Sequence, residues 1–177
     1  MKRLVVAALL LAAPARADDT AARLKADLLA GNSATQTLTQ WCAALKLADP
    51  AVIHAEREQS VTPASAEVRA LLKVGADEKV GYRRVKLACG THVLSQADNW
   101  YVPSRLTPAM NDTLDHSDTP FGTVVRPLNF HRTTLGAETP GQAGAILTVK
   151  ALLLTQAEVP FSLVVENYTS ELSAPRP

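Results

Sequence analysis

Two neighbouring arginines in the segment Tyr82-Arg83-Arg84 carry the side chains best suited to bind a carboxylate. A guanidinium is always charged and forms two parallel hydrogen bonds to a carboxylate, a geometry that lysine cannot give. Side chains alternate along a strand, so Arg83 shares a face with Val85 and Leu87, whereas Arg84 lies on the opposite face. The alternation alone therefore predicts Arg83 beneath the core-facing stripe. For Arg84 the alternative is an ion pair with a surface acid.

The elements around these arginines predict an α+β domain. Residues 80–89 and 92–102 have the pattern of two strands joined in a hairpin at Cys89-Gly90-Thr91. Helices are predicted over 18–30, about 35–47 and 66–73, and from Thr107-Pro108, and extended segments over 122–135, 145–159 and 161–166. Helices followed by strands with tight connections favour a mainly antiparallel sheet.

Four short segments form an ordered set along the chain. They are Tyr82-Arg83-Arg84-Val85-Lys86-Leu87-Ala88-Cys89-Gly90, Asn99-Trp100-Tyr101-Val102-Pro103, Thr119-Pro120-Phe121-Gly122 and Leu152-Leu153-Leu154-Thr155-Gln156. Their order and spacing resemble those of chorismate lyases, which split chorismate into 4-hydroxybenzoate and pyruvate. The resemblance implies an antiparallel sheet flanked by helices, with the ligand enclosed between sheet and helices. The ligand-sensing domain of GntR-type regulators looks like the same fold.

The resemblance implies a role for Arg84. In chorismate lyases an arginine in a Trp-Leu-Arg strand holds the carboxylate of substrate and product, and the matching position here is Arg84. This alignment matches Cys89 and the following turn without a gap. The resemblance therefore ranks Arg84 first as the carboxylate ligand and keeps Arg83 as the alternative.

The resemblance also places Gln156 where the family has its catalytic glutamate. An amide does not transfer protons at ordinary pH, so losing the acid removes an acid–base factor of roughly 10²–10⁴ in rate. Glu158 lies two residues on and shares the predicted strand face, but about 6–7 Å further along, which makes it the weaker substitute. Binding of an aromatic or carboxylated ligand without lyase turnover is therefore the expectation.

Two more residues are candidate ligand contacts. Trp100, or Tyr101 next to it, occupies the region where the family has an arginine that this chain lacks, and the alternative is an aromatic strand that fills the core. Arg132, in His131-Arg132-Thr133, resembles part of a Thr-Arg-Asp segment and is a candidate second carboxylate contact. A surface arginine is the favoured alternative for Arg132.

Residues 1–17 have the pattern of a secretory signal peptide. A charged start and a short apolar run precede the A-x-A site Ala15-Arg16-Ala17. We therefore expect a periplasmic or secreted protein with one domain over 18–170 and a loose tail over 171–177. The alternative is a buried N-terminal helix. No later apolar run is long enough to span a membrane.

Composition and residue spacing disfavour a nucleic-acid partner and a metal or other cofactor. Residues 18–177 carry 15 basic and 17 acidic side chains, too few basic ones to favour nucleic acid. Cys42 and Cys89 are the only cysteines, and in an exported protein they can pair, the alternative being two unpaired core cysteines. Neither they nor the four histidines have metal-ligand spacing, so no metal or cofactor is expected.

Three functions remain open at this point. The first is a binding protein that encloses a small aromatic or carboxylated ligand without converting it. The second is an active lyase that uses Glu158 or water in place of the missing acid. The third is a structural envelope protein that reuses the fold.

Overall fold

Six strands of the described chain form one antiparallel sheet. The structure is a computed structural model that describes the backbone of residues 15–173 and the side chains of residues 19–173. The strands are β1 (Ile53–Glu58), β2 (Gly81–Cys89), β3 (His92–Tyr101), β4 (His131–Glu138), β5 (Leu147–Leu154) and β6 (Pro160–Tyr168). Their order across the sheet is β1-β2-β3-β6-β5-β4, and every neighbouring pair is antiparallel.

Five α-helices lie on the two faces of this sheet in the described residues. They are α1 (Ala15–Ala30), α2 (Ala34–Leu45), α3 (Ala66–Leu72), α4 (Pro108–His116) and α5 (Phe121–Val124). Helices α1, α2, α4 and α5 pack on one face, which we call the inner face, and α3 packs on the other, the outer face. This arrangement confirms the predicted α+β class with a mainly antiparallel sheet. Within the described range, no helix has the length and apolar character needed to cross a membrane.

Helix α2 is fixed at both ends by local interactions. The Ser33 hydroxyl accepts a hydrogen bond from the Gln36 amide, which is the usual role of an N-cap side chain. Lys46 adopts the left-handed conformation that ends the helix. Between these ends the helix buries one stripe, as the spacing predicts; its larger members are Leu38, Trp41, Cys42 and Leu45.

The strand predicted over 145–159 is shorter in the structure. Strand β5 ends at Leu154, residues 155–159 form a tight turn, and β6 begins at Pro160. The amide of Thr155 donates to the carbonyl of Val159, and the amide of Glu158 donates to the carbonyl of Thr155. Because these bonds close a hairpin, Gln156 and Glu158 lie at its exposed tip.

The described residues reach both ends of the predicted domain. Helix α1 begins at Ala15, inside the predicted cleavage motif, and residues 1–14 of the predicted signal lie outside the described residues. At the other end, a short 3-10 helix covers Ser170–Ser173, where Leu172 packs into the core and Glu171 contacts His92 at 2.8 Å. Residues 174–177 lie outside the described residues.

A disulfide joins α2 to the end of β2. The two residues are Cys42 and Cys89, whose Cα atoms are 6.2 Å apart and whose side chains are fully buried. The bridge attaches α2 to the sheet through a covalent bond in addition to its buried stripe.

Reducing this bridge should destabilise the protein. The cysteines are 47 residues apart, and closing a loop of that length is worth about 4 kcal/mol in the chain-entropy model. Urea unfolding with and without a thiol reductant measures the difference. The variant Cys42→Ala/Cys89→Ala is the control, because reductant should not change its unfolding midpoint. Equal midpoints for the oxidised and reduced natural chain would contradict the expectation.

Candidate functional site

A small cavity lies between the inner face of the sheet and the beginnings of α2 and α5. Its volume is about 50 Å³. The sheet supplies Val85, Leu87, Ala97, Asn99, Arg132, Leu153, Val164 and Glu166, the residue before β4 supplies Phe130, and the helical side supplies Asn32, Ser33, Ala34, Thr35, Phe121 and Gly122. The walls are therefore mostly apolar, with three strongly polar side chains on the sheet. We call this space the inner cavity.

A buried ion pair between Arg132 and Glu166 lines the inner cavity. The guanidinium meets the carboxylate with both terminal nitrogens, Nη1 at 3.3 Å from Oε1 and Nη2 in contact with Oε2. The two side chains are only 3% and 7% exposed. The phenol of Tyr168, which is fully buried, donates to Oε2 of Glu166 at 3.0 Å.

Burial and the charge of Glu166 shift the pKa values of Arg132 and Tyr168. Burial alone would lower the pKa of Arg132, but the Glu166 carboxylate outweighs that effect and raises it above its ordinary value. Burial, and after it the negative charge of Glu166, raises the pKa of Tyr168 well above its ordinary value. Tyr168 therefore keeps its proton and remains a hydrogen-bond donor to Glu166.

Two of the residues that line the cavity have N–H groups without a partner. The amide of Asn99 accepts from the hydroxyl of Ser162 at 2.6 Å through Oδ1, but its Nδ2 has no partner. The Nε of Arg132 is also unpaired, although the other two nitrogens contact Glu166. An unpaired buried donor costs roughly 1–3 kcal/mol, so such groups are rare unless something else satisfies them.

Arg83 lies on the inner face next to the cavity but is not one of its lining residues. It is 4% exposed and stands directly opposite Asn99 across the β2–β3 pair. Its Nε and Nη2 have no hydrogen-bond partner. Burial lowers the pKa of Arg83, and the positive charge of Arg57 lowers it further, but a guanidinium remains protonated at any ordinary pH. The chain thus keeps a buried cation next to a cavity with unpaired donors.

Gly81 allows the ring of Tyr101 to pack against β2 near Arg83. A Cβ atom at Gly81 would lie 2.6 Å from the ring of Tyr101, so only glycine allows this ring to lie against the strand. Tyr101 then packs on Phe121 of α5 with ring centroids 5.5 Å apart. The contact connects the sheet beside Arg83 to the helix that borders the cavity.

Arg84, ranked first by the family resemblance, lies on the outer face and away from the cavity. Its side chain is 39% exposed, and its Nε lies 2.9 Å from Glu58 while its Nη1 lies 3.2 Å from Asp98. Asp98, followed by Glu58, raises the pKa of Arg84. The guanidinium is therefore occupied by two carboxylates, as in the surface-pair alternative. Strand alternation, which favoured Arg83, identified the inward side chain.

Of the other predicted site residues, only Arg132 reaches the inner cavity. It is buried in the ion pair with Glu166 and is not the surface arginine favoured above. Trp100 lies on the outer face, where its ring packs 5.3 Å from that of Tyr82 and its Nε1 donates to the carbonyl of Thr62. The disulfide of Cys42 and Cys89 lies outside the cavity lining.

The two residues considered for catalysis lie at the tip of the β5–β6 turn. The Gln156 amide donates to the carbonyl of Asn129 and is exposed. The Glu158 carboxylate is 3.1 Å from His131 and is also exposed. Neither lines the inner cavity. Within the described residues, no group of His, Cys, Asp and Glu is arranged to hold a metal ion.

Sequence reasoning missed Glu166 and Asn99. A signal for Glu166 exists, because it shares a strand face with Val164 and Tyr168, and an acid between two core side chains requires a buried partner. Asn99 has a similar signal, since it lies between Ala97 and Tyr101 on the inner face of β3. In both strands the polar residue interrupts an otherwise apolar face.

A larger open groove borders the inner cavity on the side of the helices. Its volume is about 530 Å³, and it shares Asn32, Ser33, Thr35, Gly122 and Phe130 with the cavity lining. A Cβ atom at Gly122 would lie 3.0 Å from Oγ1 of Thr35 and 3.1 Å from Oγ of Ser33. The contact between α5 and the start of α2 therefore forms the wall between groove and cavity.

Breaking the buried ion pair should destabilise the protein far more than breaking the outer one. Arg132→Met leaves a buried carboxylate without its cation, which costs about 3–5 kcal/mol. Arg84→Met removes an exposed pair and should cost about 1 kcal/mol or less. Urea unfolding of both variants compares the two.

The double variant Arg132→Met/Glu166→Met tests whether the unpaired Glu166 carboxylate causes this loss of stability. It should lose less stability than Arg132→Met alone, because no unpaired charge remains in the core. Equal losses for Arg132→Met and Arg84→Met would contradict the assignment of Arg132 to a buried pair.

Two solved structures are similar to this chain in fold. The effector domain of PhnF from Mycobacterium smegmatis matches with a TM-score of 0.54 and 12% identity, over 79% of this chain and 90% of that domain. The possible transcriptional regulator YydK from Bacillus subtilis matches with a TM-score of 0.50 and 16% identity, over 69% of this chain. The chain spans 60% of the length of YydK. The chain therefore shares the fold of these two structures.

Sequence comparison gives the family. No family model matches the chain. The uncharacterized protein y4mC of Sinorhizobium fredii is 41% identical over 173 residues, which cover 84% of this chain and 73% of that protein. The chain therefore belongs to the same family as y4mC.

Proposed function

We propose that the protein binds a small carboxylated ligand in the inner cavity and does not cleave chorismate. The observation that carries this proposal is the set of unpaired buried N–H groups on Arg83, Asn99 and Arg132. The resemblance to regulator ligand-binding domains supports a binding role of this kind.

The unpaired groups require an acceptor rather than a donor. Each is an N–H, and a carboxylate offers two oxygens with about four acceptor positions. Arg83 supplies a positive charge whose Nε and Nη2 have no hydrogen-bond partner, although Asp115 and Asp118 lie near enough to raise its pKa. Hydrogen bonds between charged groups in a buried site are stronger than neutral ones, so an anionic acceptor fits best.

The start of α2 adds to this preference for an anion. Its first residues, Ala34 and Thr35, line the cavity, and the helix continues for 12 residues. The N-terminal end of a helix carries a partial positive charge, which favours a nearby anion. The helix and the arginine therefore act in the same direction.

Turnover is the less supported alternative. Lyase chemistry requires a proton donor near the reacting ether, and Gln156 and Glu158 are exposed at a hairpin tip outside the cavity lining. Glu166 lines the cavity, but its carboxylate is already engaged by Arg132 and Tyr168.

Calorimetric titration with short carboxylic acids and with 4-hydroxybenzoate tests the binding role. Arg83→Met should weaken carboxylate binding at least about tenfold, because charged hydrogen bonds are worth about 1.5–3 kcal/mol. The same variant should not lower the free energy of unfolding, since it removes a buried charge with unpaired donors. Arg84→Met is the matched control and should bind as the natural protein does.

Two results would contradict the proposal. One is the absence of binding to any carboxylate at millimolar concentration, which would favour a structural role for the fold. The other is release of 4-hydroxybenzoate from chorismate by the natural protein. The variant Gln156→Glu should also remain inactive, because residue 156 lies at the exposed turn.

We also propose that the protein is exported to the periplasm or beyond, as the pattern of residues 1–17 indicates. A disulfide between Cys42 and Cys89 is consistent with an oxidising compartment. Cleavage after Ala17 would remove only the first three residues of α1 and keep its buried Leu24 and Leu28. The processed chain would therefore retain the packing of α1 on the core.

Fractionation of a Gram-negative host that expresses the full chain tests export. The processed protein should appear in the periplasmic fraction with Asp18 as its first residue by mass spectrometry. Replacing Ala15 and Ala17 by bulky residues should block processing. An unprocessed natural chain in the cytoplasmic fraction would contradict export.

A further inference from the structure

We propose that the ligand of the inner cavity is a short hydroxy acid with a single negative charge, rather than an aromatic acid. The inference rests on the binding function proposed above. Three features of the cavity carry it: an unused acceptor position on Glu166, the charged groups at the cavity, and the available volume.

Glu166 has room to accept one more hydrogen bond. A carboxylate offers about four acceptor positions on its two oxygens. In the described contacts, Oε2 accepts from Arg132 and from Tyr168, whereas Oε1 accepts only from Nη1 of Arg132, at 3.3 Å. Glu166 is 5% exposed and lines the cavity, so bulk water does not fill this position. A ligand hydroxyl is suited to donate to Oε1.

The other polar groups need a hydrogen-bond acceptor on the ligand. Asn99 and Arg83 are opposite one another on β3 and β2, and both have unpaired donors. The cavity therefore combines donors near β2 and β3 with an acceptor on β6. A ligand that satisfies both needs an acidic end and a hydroxyl end.

The charged groups at the cavity favour a hydroxy acid over an amino acid as the ligand. Arg132 and Glu166 are the ionisable residues among those that line the cavity, and they neutralise one another. Arg83 lies beside them without an ion pair, and its charged neighbours outside the cavity lining are Asp115, Asp118 and Arg57. A ligand carboxylate can accept from the unpaired guanidinium N–H groups, whereas the ammonium group of a zwitterion would come close to two guanidinium groups.

Volume limits the length of the ligand. A cavity of about 50 Å³ holds about four water molecules, since each needs roughly 10–15 Å³ on the same scale. An aromatic acid such as 4-hydroxybenzoate, with about ten heavy atoms, exceeds this room. A three-carbon hydroxy acid, with about six heavy atoms, is the better match in size. The cavity borders the open groove at Thr35, Gly122 and Phe130.

Four compounds of nearly equal size separate these features in the natural protein. Lactate has both groups, propionate lacks the hydroxyl, lactamide lacks the charge, and alanine carries an ammonium in place of the hydroxyl. Calorimetric titration should give lactate an affinity at least about tenfold higher than each of the other three. Propionate binding as tightly as lactate would overturn the role of Glu166, and tighter binding of alanine would overturn the charge argument.

The variant Glu166→Gln tests whether the Glu166 carboxylate accepts the hydrogen bond of the ligand hydroxyl. This variant keeps the shape of the side chain but loses its charge, so the ratio of lactate to propionate affinity should fall toward one. Arg83→Met should weaken both acids and leave their ratio unchanged. If Glu166→Gln does not fold, as judged by its circular dichroism, the four-compound comparison in the natural protein remains decisive.

The outcomes distinguish this inference from the binding function itself. Binding of 4-hydroxybenzoate but of none of the short compounds would overturn the short hydroxy acid and keep the carboxylate site. Failure of every carboxylate to bind would overturn both.

Discussion

The ion pair between Arg132 and Glu166 holds the site together because it bridges strands that are not neighbours. Arg132 is on the edge strand β4 and Glu166 is on β6, with β5 between them. Adjacent strands are about 4.8 Å apart, so the two side chains must cross about 10 Å together. Ala151 lies between the β5 residues opposite each partner, Leu153 and Val149, and its small side chain leaves a path over the sheet.

A buried pair of this kind is rarely the most stable solution for a core. Apolar residues of similar volume often do as well or better, because two charges must be removed from water. Here the same cluster leaves the Nε donor of Arg132 and one oxygen position of Glu166 without a partner in the described residues. Arg83 adds a second buried guanidinium with unpaired donors. The proposed binding site would account for these groups, which the fold keeps at some expense of stability.

Much of the fold can be predicted from local sequence patterns. The cap of α2 at Ser33 and the start of α4 at Thr107-Pro108 follow from side chains next to their own backbone. Alternation in β2 correctly placed Arg83 on the inner face, since the pattern of that strand is regular from Gly81 to Leu87. The family resemblance favoured Arg84 because an ungapped match fixes position along a strand but not the face that carries the cavity.

The cavity itself depends on register between distant strands, which local patterns do not contain. Arg132 and Glu166 are 34 positions apart in the chain. Arg132 pairs with Leu153 and lies near two irregularities, between Thr134 and Gly136 in β4 and between Leu153 and Leu154 in β5, whereas Glu166 pairs in regular register with Val149. A shift of one residue moves every following side chain to the other face. The same effect explains Gln156: a continuous strand would carry it onward beside Leu152 and Leu154, but the turn after Leu154 removes it from the sheet. Residues near such shifts can be assigned to a site only after the pairing of the strands is known.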